Sequence, residues 1–382
     1  MGTSKLQNPF RATLGANPPV LVGRDDVLSD FSDALQDGPG AHERVSLLVG
    51  ARGIGKTVLL NEMESRAAQE GWWVFAETAT RGFTEKLREQ LFEHVSHHQP
   101  PPSRRGISIG PSFAQFRLDQ PANTQRPSTL RGAFNYAFSY LDSLTRFNEE
   151  PTGIMVTIDE LHYTHVDEIT EFASTIQHLI REDRQIAVAI AGIPSSMRPL
   201  LSDNDGRSPI TFLRRANRID LGKIPLDEVR EGLEIPVGRL NLRWEPEALD
   251  LAVEGSGGYP FMIQLIGHWA VRKTEGETIS KAAALEGLTK ARKKLGQLVH
   301  EPALSDLSAE DRRFLAAMSL DDGPSEIIDV ANRLRVSVQQ AYNYRKRLVD
   351  ADMVTAGRGT AKFSLPYLQD YLREHVVAEF LD

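Results

Sequence analysis

From Arg44 the chain reads RVSLLVG, an unbroken apolar run of strand length. After Lys56 the spacing changes, with Val58, Leu59, Met63 and Ala67 returning every three or four positions as on one helix face. WWVFAETA (72 to 79) repeats the strand pattern, FTEKLREQLFEHVSHH (83 to 98) the helical one, and this βαβα rhythm predicts a parallel sheet. Between Gln99 and Ser128 the rhythm breaks. Ile107, Ile109, Phe113 and Phe116 alternate around Gly110 and Pro111 there, which reads as an inserted hairpin with Pro-rich flanks. A helix is expected from Thr129 to Phe147, strands over GIMVTIDE (153 to 160) and QIAVAIAG (185 to 192), and a short strand at RIDLG (218 to 222). Between them Ile169, Phe172, Ile176, Leu179 and Ile180 mark one face of a helix.

Flanking segments differ in kind. The first forty residues are rich in Pro, Gly and Asp, with only a short helical pattern through Val27, Phe31 and Leu35. After Lys223 the pattern is helical only, through LDEVREGL, PEALDLAVEG, PFMIQLIGHWAVR and SKAAALEGLTKARKKLGQLVH. From Leu307 helices are expected near 308 to 319, 325 to 334 and 337 to 351, followed by TAGRGTAKFSL, whose Gly residues and alternation suggest a two-stranded wing. Four segments result: a lead-in (1–40), an α/β core (41–222, insertion about 99–128), a helical lid (223–302) and a winged helix (303–382).

Composition narrows the chemistry. The 382 residues carry a net charge of −8, against bulk-charge coating of nucleic acid. The absence of Cys removes disulfides, thiolate zinc sites and a Cys nucleophile. MGTSKLQNPF lacks a signal-peptide core and no apolar run is long enough to span a bilayer, so a cytoplasmic location without membrane attachment is expected.

Gly50, Gly55, Lys56 and Thr57 complete G-x-x-x-x-G-K-[ST] in GARGIGKT, between an apolar strand and an amphipathic helix. Glycines there let backbone N–H groups curl around phosphate oxygens at the positive end of a helix. Lys56 is expected to reach the β and γ phosphates and the Thr57 hydroxyl to ligate Mg²⁺. Asp159 and Glu160 end a strand where ligands bind in open α/β sheets. Asp159 suits the Mg²⁺ shell, and Glu160 is the candidate general base for the attacking water. ATP and Mg²⁺ are the implied cofactors, bound by Gly50, Ala51, Arg52, Gly53, Ile54, Gly55, Lys56 and Thr57.

These motifs resemble AAA+ ATPases of the origin-recognition-complex-like kind and the related STAND signalling ATPases. The resemblance rests on LVGRD (21 to 25), GARGIGKT, IDELH (158 to 162), IAVAIAG, FLRRA (212 to 216) and GGYP (257 to 260), and spans residues 18 to about 275. It implies a P-loop NTPase parallel sheet flanked by helices, Val22, Gly23 and Arg24 near the adenine, and Arg214 or Arg215 as an arginine finger toward a neighbour's γ phosphate. Both could equally be a solvated charged pair. GGYPFMIQ offers Pro260 and no Arg, more like a STAND lid than an initiator's second sensor. Ser195 or Ser196 could act as a polar sensor or cap a helix.

In RVSVQQAYNYRKRLVDADMV, Ser337 is a plausible N-cap, and Val338, Ala341, Tyr344 and Leu348 form an inward stripe. That leaves Gln339, Gln340, Asn343, Lys346 and Arg347 outward, with Arg358 and Lys362 on the wing, the residue types that read a major groove. From Arg333 to Lys362 seven cations face two acids, a local charge of +5. The alternative is a protein-binding or autoinhibitory module whose basic face pairs with the acidic core. His94, His97 and His98 fall at helical spacing, but no acid pattern accompanies them, so no metal site is expected. The sequence thus predicts an Mg-dependent ATP hydrolase that works as a switch on or near double-stranded DNA, with self-association where the arginine finger is used. A STAND-like ATPase whose winged helix binds protein is the alternative.

Overall fold

Five short strands, β1 (Val45–Val49), β2 (Trp73–Thr78), β3 (Ile154–Asp159), β4 (Ile186–Gly192) and β5 (Asn217–Asp220), form one sheet in the order β2-β3-β4-β1-β5, every neighbouring pair parallel. The computed structural model describes residues 7–98, 126–145, 152–161, 166–194, 197 and 213–377. The expected insertion, save its last three positions, lies outside the described residues, as do Ser195, Ser196, His162 and His165.

The sheet is covered on both faces, so its central strands read as continuous apolar runs. On β4 the period of two sends Ile186, Val188 and Ile190 into one core and Ala187, Ala189 and Ala191 into the other. The alanine side faces α2 (Lys56–Gln69), whose Leu59, Met63 and Ala67 are fully buried, and α1 (Asp25–Asp37). The branched side packs on α3 (Phe83–His98), α4 (Leu130–Thr145) and α5 (Val166–Arg181). Arg44, at the start of β1, anchors α1 by donating to the carbonyls of Ala34 and Leu35 at 2.7 and 2.5 Å.

Beyond the sheet come α6 (Leu226–Gly238), α7 (Pro246–Ser256), α8 (Pro260–Arg272) and α9 (Lys281–Leu295), with a parallel bridge between β6 (Arg243–Trp244) and β7 (Thr278–Ile279). No loop ends this helical lid: α9 continues through a π-helical turn, Gly296–His300, into α10 (Glu301–Ser305), so the expected division at residue 302 falls within an unbroken helical stretch. The lead-in is also more than a leader. Phe10 is buried on Gly267 of α8, where a Cβ would strike its ring.

The C-terminal unit runs α11 (Ala309–Ser319), β8 (Ser325–Glu326), α12 (Ile327–Leu334), α13 (Val338–Asp350), β9 (Val354–Ala356), β10 (Thr360–Phe363) and α14 (Leu368–His375), with an antiparallel sheet β8-β10-β9. The helix expected from 325 starts at Ile327, because Ser325 and Glu326 pair with Ala361 and Thr360. Among the described residues no helix is long and apolar enough to cross a membrane.

Candidate nucleotide-binding site

The loop between β1 and α2 curls over the carboxyl ends of the strands. Gly53 and Gly55 have φ of +73° and +97°, a region open to glycine at little cost. Gly55 occupies the N-cap of α2, so the first amides of that helix face outward with the positive end of its dipole. Lys56 is 6% exposed, and its Nζ donates to the carbonyls of Gly50 and Ala51 at 2.9 and 3.0 Å. Burial lowers the Lys56 ammonium below its usual range, while Glu160, Asp159 and Asp352 oppose that shift.

The register of the sheet brings the acids to the same place. Asp159 ends β3, and its Oδ2 accepts from Thr57 Oγ1 at 2.6 Å. A hydroxyl and a carboxylate oxygen side by side are the hard ligands that suit Mg²⁺, and these two residues would hold it. Glu160 adopts φ +55°, its amide donates to Asp159 Oδ1 at 2.8 Å, and it lines the same cleft. Glu64, unforeseen in the sequence, lies close by on α2 and accepts from Thr157 Oγ1 at 2.5 Å. Burial raises its carboxyl above the usual range, with the Thr157 bond opposing.

The cleft has a volume of about 340 Å³. Arg52, Gly53, Ile54, Gly55, Lys56 and Thr57 form its floor, and Val22, Arg24 and Pro260 also line it. Gly23 has φ +69° and sits against Ile224, while Arg24 donates to the carbonyls of Gly23 and Gly222 at 2.9 and 2.7 Å. The apolar wall also includes Phe261, next to Pro260, and Leu14 and Leu298, from segments the sequence reading did not connect to the site. Tyr259 was missed as well: it is 2% exposed and its hydroxyl donates to the Arg52 carbonyl, clamping the lid onto the phosphate loop. Arg214 and Arg215 precede β5, whose Asn217 pairs with Ser46 near the start of β1, so they stand at the opposite end of the sheet from the loop. His42 Nε2 lies 2.7 Å from the Arg215 carbonyl.

Residues 20–190 match the family model of the AAA ATPase domain. This segment carries a P-loop NTPase fold. Residues 297–372 match a domain of unknown function, DUF8462. A Walker-type ATPase of Pyrococcus abyssi is similar over 92% of this chain and 96% of its own, with 18% identity and a TM-score of 0.63, a likeness that bears on the fold alone. A single-residue variant of RuvB from Thermotoga maritima is similar over 97% of this chain and 100% of its own, with 16% identity and a TM-score of 0.47. No curated protein sequence matches at the level required.

Behind the P-loop core, α13 presents a different surface from the expected one. Ala341 and Leu348 are buried, and Tyr344 is half-buried with its ring 5.9 Å from Phe314, but Val338 is 41% exposed and not part of an inward stripe. It opens the helix, directly after the N-cap Ser337. Gln339, Asn343 and Lys346 are exposed, as are Arg358 and Lys362. Gln340 is committed to a capping box, its Oε1 accepting from the Ser337 amide at 3.0 Å. Arg347 is bound to the buried Asp311 at 3.1 and 2.6 Å, Arg333 to Asp321 and the Ala317 carbonyl, and Arg345 to the carbonyls of Gly357 and Thr360. Three of the seven counted cations therefore hold the unit together.

Proposed function

We propose that the chain is an ATP-driven switch. The observation that carries the reading is the convergence of Lys56, Thr57, Asp159 and Glu160 around one glycine-shaped loop. In it the loop amides and Lys56 bind the phosphates, Thr57 and Asp159 would hold Mg²⁺, and the adenine of ATP sits against the apolar wall that includes Val22 and Ile263. Bound Mg²⁺ supplies charge neutralisation at the β and γ phosphates. Glu160, at the mouth of the cleft, accepts the proton of the attacking water. Arg214 or Arg215, remote from the chain's own loop, serves a neighbouring copy where copies assemble.

The test uses two variants of the full chain. Lys56→Ala abolishes binding of a fluorescent ATP analogue, whereas Glu160→Gln binds it and releases no phosphate. Unchanged binding in Lys56→Ala overturns the reading.

The C-terminal unit has the helix, strand, helix, helix, hairpin order of a winged helix, and exposed Gln339, Asn343, Lys346 and Arg358 support double-stranded DNA as its partner. A protein partner is the second reading, favoured by the exposed apolar Val338 at the start of α13 and Ile328 on α12. Mobility shifts at two salt concentrations separate them, since phosphate contacts weaken steeply with salt. Absence of any DNA affinity in the unaltered chain counts against DNA, and affinity retained in a Lys346→Ala, Arg358→Ala double variant counts against DNA reading by this helix.

A further inference from the structure

The lead-in is anchored on both sides of the cleft. On the lid side, Asn8 Nδ2 donates to the His268 carbonyl at 2.8 Å, the Phe10 ring lies on Gly267, and the Arg11 amide donates to Gln264 Oε1 at 3.1 Å. The chain then turns, with the Ala16 amide on the Thr13 carbonyl at 3.3 Å and Gly15 at φ +75°. On the other side it meets α2, where Asn61 Nδ2 donates to Asn17 Oδ1 at 2.8 Å. Arg11, Thr13 and Gly15, between these anchors, line the cleft.

One of these bonds fixes a side chain that has two different ends to offer. A backbone N–H meets only an acceptor, so the Arg11 amide holds Gln264 Oε1 and leaves Nε2, with its two donors, turned away. Among the described residues nothing accepts from Nε2. Gln264 is half-buried on α8 and lines the cleft next to Ile263.

With the phosphates on the loop, the base falls between Val22 and Ile263. Gly232 joins these two walls, since a Cβ there would stand 3.1 Å from Val22 and 3.9 Å from Ile263. Polar groups are scarce in that part. Among the described residues lining the cleft outside the loop and Glu160, only Arg11, Thr13, Arg24 and Gln264 have polar side chains, and Arg24 is taken up by the carbonyls of Gly23 and Gly222. Adenine brings ring nitrogens that accept and an exocyclic amine that donates, and a buried acceptor left unpaired weakens binding. A donor of fixed polarity answers a ring nitrogen and cannot answer the amine.

Resting on the reading of the cleft as an ATP site, we propose that Gln264 is a specificity residue for the base. Its Nε2 donates to a ring nitrogen of adenine, in the orientation that the Arg11 amide imposes. The contact is to a part that ATP and ADP share, so it sets which base is held and is indifferent to the γ phosphate.

The experiment displaces a fluorescent ATP analogue from the full chain, and from Gln264→Glu and Gln264→Leu. The competitors are ATP, ADP and deaza forms of ATP that each lack one ring nitrogen, N1, N3 or N7. Gln264→Glu keeps an acceptor for the Arg11 amide and puts a second acceptor where the donor was, whereas Gln264→Leu removes both. In the unaltered chain one deaza form binds about tenfold more weakly than ATP, the scale of one lost hydrogen bond in a buried setting. Gln264→Glu weakens ATP and ADP by a common factor of about tenfold, and it no longer distinguishes that deaza form from ATP. If Gln264 only held the lead-in in place, Gln264→Glu would bind like the unaltered chain and Gln264→Leu alone would be weakened, a result that overturns the proposal. So does equal binding of all three deaza forms and ATP to the unaltered chain, a measurement that needs no variant. Either outcome leaves the nucleotide site standing, whereas failure of ATP to displace the analogue from the unaltered chain overturns the reading of the cleft itself.

Discussion

Tyr259, the residue before the first turn of the lid helix α8, donates its hydroxyl to the Arg52 carbonyl in the phosphate loop. The lid and the loop are therefore joined by one hydrogen bond made in a buried setting. Burial also raises the Tyr259 phenol well above its usual range, so it stays a donor at any working pH. Tyr259→Phe removes the bond and leaves the Arg52 carbonyl unsatisfied, which costs about 1–2 kcal/mol. Tyr259→Ala adds a cavity and costs about 3–5 kcal/mol. Thermal melts with and without ATP measure both: the melting point falls in each, and ATP restores less of it in Tyr259→Ala.

Much of this was legible in the sequence, and the reason is periodicity. The central strands β1, β3 and β4 are apolar runs, and the loop and acids sit at their carboxyl ends because a parallel sheet leaves only that edge for a βα turn. Tyr259 was not legible, since GGYP reads as a helix start and only the folded chain shows the phenol meeting Gly53 and Arg52. Phe10 escaped for a similar reason. An aromatic in a Pro- and Gly-rich lead-in has no periodic neighbours, and its partner Gly267 lies far along the chain. Arg347 and Arg333 were misread as free charge because Asp311 and Asp321 belong to another helix and its following turn.

The bond from Thr57 Oγ1 to Asp159 Oδ2 joins the two expected Mg²⁺ ligands directly. Removal of Mg²⁺ by chelation weakens ATP binding in the unaltered chain. Asp159→Ala removes that sensitivity while Lys56 and the loop amides still hold the phosphates. Calorimetric titration with and without Mg²⁺ checks this. A variant that keeps its full response to Mg²⁺ would exclude Asp159 as a ligand.

His300 links α10 to the C-terminal unit, with its ring 5.3 Å from Tyr371 and its Nε2 on the Pro366 carbonyl. Burial lowers its pKa to about 4, partly offset by that bond. The unfolded chain, titrating near about 6.5, binds more protons between pH 4 and 6.5. Stability contributed by neutral His300 is thus present above about pH 6.5 and lost as pH falls through that window, by up to about 3 kcal/mol. Urea midpoints measured from pH 7 to 4.5 fall in the unaltered chain and fall less in His300→Gln.

Neighbouring cations on α13 separate stability from recognition. Arg347 makes two bonds to Asp311, which is 5% exposed and also accepts from the Ser308 hydroxyl that caps α11. Lys346, one position earlier, is exposed. Truncating Arg347 leaves a buried carboxylate without its cation, and since half of the Arg347 side chain is exposed the cost is discounted to about 1–2 kcal/mol. Truncating Lys346 costs less than about 0.5 kcal/mol, as for other surface positions. Arg347→Ala therefore lowers the urea midpoint and Lys346→Ala leaves it in place, whereas Lys346→Ala weakens DNA binding and flattens its salt dependence by about one unit of slope. Equal midpoints in the two variants would show that Arg347 is as free in solution as Lys346, and would return it to the groove-facing set.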